Sequence, residues 1–134
     1  MGDATTKVEE TIDWDEVDVL KVAHHGSDSS TSQQFLDKVK PKYAIISVGI
    51  DNAHNLPDEK IIDRLESNNI EIYRTDENNT IWLTSDGTTI NITPLEYDLD
   101  GTGRKQAIFF EKKYLLAFFF TLKNSYGYEV SLIF

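Results

Sequence analysis

The chain has no cysteine, which excludes thiolate metal sites and disulfides and leaves the redox compartment open. Cations are scarce: 13 Lys and Arg stand against 23 Asp and Glu, for a formal net charge of -10. A non-specific grip on nucleic-acid phosphates needs clustered Lys and Arg, so this balance argues against one. The acidic surplus favours solubility and suits a site that holds cations. Long apolar runs are also missing. The longest, Tyr114 to Leu122, is far too short to span a bilayer, and no N-terminal signal pattern is visible. Only three prolines interrupt the 134 residues.

What is present begins with LKVAHHGSDSSTS, Leu20 to Ser32. A short apolar run ends abruptly in two histidines, a glycine and a hydroxyl-rich stretch. That order reads as a buried strand carrying imidazoles to its C-terminal end, then a turn, then a helix. Neighbouring residues on a strand point to opposite faces, so at most one of His24 and His25 serves a given site unless the chain has already left the strand. Imidazole is the commonest protein ligand for zinc. The plainer reading is two polar residues entering a loop. For the five hydroxyls from Ser27 to Ser32, helix capping is favoured over anion capture.

The chain is long enough for one domain with a real core, and 40% of it is hydrophobic. Alternation and caps predict parallel strands near 17–23, 43–48 and 70–74, with helices near 32–40 and 58–68. Thr31 and Gln34 form an expected capping box. The near-continuous apolar run YAIISV, Tyr43 to Val48, reads as a strand buried on both faces. Two alternating segments around Ser85-Asp86-Gly87 predict a hairpin that extends the sheet. The fold class is therefore α/β, a mixed sheet with a parallel β-α-β-α-β core and a C-terminal hairpin. Sites in such sheets lie beyond the C-terminal ends of the strands, where the His24-His25 turn and the 49–57 loop, with His54, both fall.

Composition divides the chain at a polar connector. Residues 1–93 form the α/β unit. Residues 94–134 form an aromatic-rich β tail, including Phe118-Phe119-Phe120, packed on that unit or at an oligomer interface. The acids from Asp3 to Asp18 read for the most part as a solvated face. Asp3 stands apart because it follows Gly2 at the very start, ahead of a helix-compatible stretch.

Five pieces in order resemble a known pattern: Gly2-Asp3-Ala4; Asp18 to Ser27; Pro41 to Gly49; Pro57 with Ile62 and Leu65; and Tyr73 to Asp76. They lie within the stretch from Gly2 to about Ile92, roughly two thirds of the chain. They are similar to the C-terminal half of a metallo-β-lactamase-fold hydrolase, in the branch found in late-competence DNA-uptake proteins. The resemblance implies half of an αββα sandwich and a pair of metal ions, usually zinc. A bridging water would attack an ester, amide or phosphodiester. It places Asp3 at the bridging carboxylate and one of His24 and His25 at a late histidine ligand, with His24 preferred. Asp3 and His24 are then the catalytic candidates. Asp3, His24, His25 and His54 are the candidate metal ligands.

The sequence departs from that pattern twice. The first histidine-aspartate cluster and the middle histidine are absent, and Leu56 stands before Pro57 where the branch often has histidine. His54, two residues earlier, is either its replacement or an ordinary loop residue. The expectation is a fragment of a metal-dependent hydrolase that is inactive alone, with Asp3 loosely held. The partner expected to complete it is the N-terminal half of the same fold or a second copy of the chain. A nucleic-acid or phosphoester substrate belongs to the parent protein. A bacterial cytoplasm and the cell exterior both remain open. The competing expectation is a non-catalytic α/β binding or assembly module.

Overall fold

The computed structural model describes residues 2–95 and 130–133. A four-residue helix, α1 (Thr6–Glu9), precedes strand β1 (Val19–Lys21). A 3-10 turn over Ala23–Gly26 leads to α2 (Gln33–Val39), β2 (Tyr43–Ile46), α3 (Glu59–Ser67) and β3 (Glu71–Arg74). The short α4 (Thr75–Asn78) then leads to β4 (Thr80–Ser85) and β5 (Ile90–Leu95), and β6 (Val130–Ile133) closes the described chain. The expected elements form within a few residues of their predicted bounds.

β1, β2 and β3 lie side by side in that order, all parallel, with Leu20 opposite Ala44 and Ala44 opposite Ile72. Crossover helices are how a chain returns to pair in parallel, and α2 and α3 supply them. Both helices pack on one face. Phe35, Leu36 and Val39 from α2 and Ile61 and Leu65 from α3 meet Leu20, Val22, Ala44 and Ile46 in one core. The Ser32 hydroxyl starts α2 by accepting the Phe35 N–H at 3.2 Å. Lys40 stops it in the left-handed conformation (φ 41°), one residue before Pro41. The predicted capping box is thus displaced. Thr31 takes a positive φ of 54°, and Ser32 is the cap.

The hairpin does not extend the parallel sheet. β4 pairs antiparallel with β5 on one edge and with β6 on the other, and the three strands form a second sheet. Ile81 and Leu83 of β4 pack on Ile45 of β2, with Val19, Tyr73, Ile90 and Ile92 around them. The reason lies in the pleat. β2 is apolar at every position, so Ile45 needs cover on the face away from the helices. The alternating apolar side of β4 supplies that cover when laid across the sheet, and edge pairing would not. The face of the parallel sheet away from the helices is therefore covered by this chain's own second sheet. Of the aromatic tail, β6 is described, and the remaining expected strands lie outside the described residues.

Ile45 and Ile46 are both fully buried, on opposite faces of the parallel sheet. Ile45→Ala and Ile46→Ala are each expected to cost about 2–5 kcal/mol in urea denaturation. A near-zero cost at Ile45 would show that the second sheet is not seated on the first.

Candidate functional site

The β1 ladder ends where the Val22 N–H donates to the Ile45 carbonyl at 2.9 Å. The chain then enters the 3-10 turn with His24 (φ 49°, ψ 41°), His25 (φ 54°, ψ 21°) and Gly26 (φ 84°) all at positive φ. For a residue with a β-carbon that conformation costs on the order of 1 kcal/mol or more and persists only where the surroundings enforce it. The alternation of the strand is broken here, and the histidine rings leave the sheet edge by a turn.

The surroundings that enforce it are specific. The His24 N–H donates to the Gly2 carbonyl at 2.8 Å, which brings the next residue, Asp3, beside the turn. Asp58 donates its N–H to the Gly26 carbonyl at 2.9 Å. A β-carbon added to Gly26 would lie 2.5 Å from Pro57 Cβ, so the turn and the end of the 49–57 loop touch backbone to ring. That loop is knotted by Asn52, whose side chain bonds the Gly49 and Leu56 carbonyls and the Leu56 N–H.

The His25 ring has its Nδ1 2.6 Å from the Ser47 carbonyl oxygen. A carbonyl only accepts, so in this bond Nδ1 carries the proton, and the Nε2 of the neutral ring holds a free lone pair. That Nε2 lies 3.9 Å from Asp3 Oδ1. A ligating histidine is typically fixed in this way through its other nitrogen. His24 has its Nδ1 3.1 Å from the Ser29 hydroxyl, which itself lies 3.0 Å from the Ser27 hydroxyl. Both rings are thus held through Nδ1, but the ring that faces Asp3 is His25 and not His24, the histidine preferred from the sequence. His54 is exposed in the loop, its N–H 3.3 Å from the Asn52 side-chain oxygen. The structure does not bring it to the pair. Among the described residues no three His, Asp or Glu side chains converge as a metal cluster would.

Lys21 brings a cation into the neighbourhood. Its strand neighbours Leu20 and Val22 turn to the helix side, and Lys21 takes the other face, its ammonium donating to the Val22 carbonyl at 3.1 Å. Burial pushes the Lys21 ammonium below the ordinary lysine value, and the Asp3 carboxylate acts in the opposite direction.

The segment from Gly2 to Glu9, which carries the Asp3 expected to be loosely held, is tied to the rest of the chain. Besides the Gly2 bond, the Thr6 N–H donates to the Ser29 carbonyl at 2.9 Å. Glu9 is 2% exposed and accepts from the N–H groups of Thr31 (2.5 Å) and Ser32 (2.9 Å). The amides at the start of α2 are therefore occupied by an internal carboxylate, which answers the anion-capture reading of the hydroxyl stretch. Sequence reasoning placed Glu9 with the solvated acids. No periodic signal marks it, because α1 is a single turn. Ser47, which fixes the His25 ring through its carbonyl, is equally silent, and Ser29, which orients His24, is marked in the sequence only as one of the hydroxyls read as caps.

No family model matches the chain, and no solved structure matches it. Among curated proteins, it is 47% identical over 64 residues to ComE operon protein 3 of Bacillus subtilis (strain 168). That match covers 48% of this chain and 8% of the other. It is 43% identical over 58 residues to Competence protein ComA of Neisseria gonorrhoeae, covering 43% of this chain and 8% of that protein. Over 66 residues it is 42% identical to Recombination protein 2 of Haemophilus influenzae, covering 48% and 8%. The chain thus matches a small part of much longer proteins.

Gly26→Ala is expected to destabilise the chain by about 2–4 kcal/mol, through a forced positive φ and the clash with Pro57. Gly49→Ala, which meets nothing within 4 Å, is expected to change stability by less than about 0.5 kcal/mol. Equal values in denaturant titration would contradict the described contact.

Proposed function

We propose that this chain carries part of the metal site of a metal-dependent hydrolase of the metallo-β-lactamase type, within a longer protein that acts in competence and DNA uptake. The observation that carries the reading is the approach of His25 Nε2 to Asp3 Oδ1 at the C-terminal edge of the parallel strands, in a turn held at positive φ. Functional sites are where such conformations gather. The similarity to competence proteins supports the setting.

The donor set fits part of such a site. Asp3 offers a carboxylate and His25 a free Nε2, with Nδ1–H held by Ser47. A zinc site needs four ligands, or three and a water, so two donors are too few, and no step is assigned through a metal here. When bound, zinc or a similar ion would supply an acidified water and a clamp for developing negative charge. What the chain's own residues do is narrower. Ser47 fixes the His25 tautomer, Ser29 orients His24, and Lys21 adds positive charge beside Asp3. We assign His25 the ligand role, with His24 beside it as the alternative donor and His54 as a loop residue. Residues 1–93 form the α/β unit, and residues 94–134 contribute the end of β5 and β6 to its second sheet. The missing donors come from the N-terminal half of the same fold or from a second copy, and the substrate is a phosphodiester.

Two measurements test this. The chain alone is expected to bind zinc more weakly than about 1 μM by calorimetry, whereas a complete structural zinc site binds far more tightly. Tighter binding would mean that the site is complete within these residues. A longer protein carrying the missing donors is expected to cleave a chromogenic phosphodiester, with loss on chelation and a more than about 100-fold fall for Asp3→Ala or His25→Ala. Unchanged turnover in both variants would overturn the proposal.

A further inference from the structure

Asp3 has an exposed side chain whose described partner is His25 at 3.9 Å. A weak contact between two exposed groups, with the charge of Lys21 in the neighbourhood, does not hold a carboxylate in one position. Its position is therefore set by the backbone on either side, from Gly2 to Glu9. That segment has little of its own to hold it, since α1 is one turn and a single turn is not self-supporting. Its deepest point is Glu9.

Glu9 is buried at 2% exposure, and a carboxylate is rarely buried without strong partners. Here the partners are two consecutive backbone amides, Thr31 and Ser32, one to each oxygen. Thr31 adopts φ 54°, unusual for a β-branched residue. The next group is also engaged, because Arg64 Nη1 donates to the Thr31 carbonyl at 2.6 Å. The loop that receives Glu9 is the one whose Ser29 orients His24 and accepts from Thr6. Three ties thus run between the segment 2–9 and the segment 24–32: Gly2 to His24, Thr6 to Ser29, and Glu9 to Thr31 and Ser32.

We propose that Glu9 is a positioning residue for the Asp3–His25 pair. Its carboxylate fastens the segment 2–9 to the loop 27–32 and so fixes Asp3 opposite His25. The proposal rests on the reading of that pair as metal donors. The fastening itself is measurable without metal.

The experiment uses the whole chain as wild type, Glu9→Gln and Glu9→Asp. Glutamine places an amide N–H₂ where a backbone N–H needs an acceptor, and aspartate is one methylene too short to reach both amides. Amide hydrogen exchange is followed at His24 and Thr6, whose bonds report the fastening, and at Val22, whose bond to Ile45 reports the core. Both variants are expected to speed exchange at His24 and Thr6 by about tenfold or more while leaving Val22 unchanged. Unchanged His24 and Thr6, or an equal loss at Val22, would overturn the proposal. A second arm titrates zinc alone and follows the His25 ring by NMR. Glu9→Gln is expected to weaken zinc at His25 about tenfold in the wild-type background and not at all in Asp3→Ala. Equal weakening in both backgrounds would show that the effect does not pass through Asp3, and would overturn the proposal. If zinc never perturbs His25 in the wild type, the metal-site reading fails, and the exchange arm still decides the role of Glu9.

Discussion

Two adjacent histidines at positive φ are the constraint around which the rest of the structure is arranged. Left alone, a chain leaving β1 would continue extended and send His24 and His25 to opposite faces. Here the turn is held from three sides: by Gly2 through the His24 amide, by Ser47 through the His25 ring, and by Pro57 and Asp58 against Gly26. Each contact comes from a different part of the chain. Ser47 lies just beyond β2, Pro57 ends the loop before α3, and Gly2 opens the segment fastened by Glu9. The parallel sheet and its two crossover helices bring these three points to one edge.

Much of this was legible in the sequence, and the reasons differ by element. The near-continuous apolar run YAIISV declared itself because a strand covered on both faces has little room for polar positions, and Ala44, Ile45 and Ile46 are indeed fully buried. The stripes of Phe35, Leu36, Val39 and of Ile61, Leu65 declared the helices through their period. The second sheet was not legible. The alternation of Thr80 to Ser85 states that one face is apolar and does not state which surface that face meets, so sheet extension and sheet stacking read alike. The capping box misled because Thr31 and Ser32 are equally good caps by type. The group that distinguishes them is Glu9, distant in sequence, which claims the amides of both while Thr31 sits at positive φ.

The candidate site shows the same limit at finer scale. The sequence indicated Asp3 and the histidine pair, and the turn at the strand end. It preferred His24, yet the ring facing Asp3 is His25. Which of two neighbours faces a site depends on backbone angles that strand alternation does not predict once the chain has left the strand. The groups that fix the rings, the Ser47 carbonyl and the Ser29 hydroxyl, are backbone or small side chains with no pattern of their own. His54 lies in the loop beyond β2, and the Asn52 knot holds that loop without bringing His54 to the pair. The similarity to competence proteins runs over a small part of much longer chains.

The account turns on the state of one imidazole. Long-range ¹H–¹⁵N correlation of the histidine rings, without metal and during a zinc titration, reads it directly. The account predicts that His25 in its neutral form carries its proton on Nδ1, bonded to Ser47, and that added zinc shifts its Nε2 resonance. A proton found on Nε2, or a zinc-induced shift confined to Nδ1 or to His54, would contradict it.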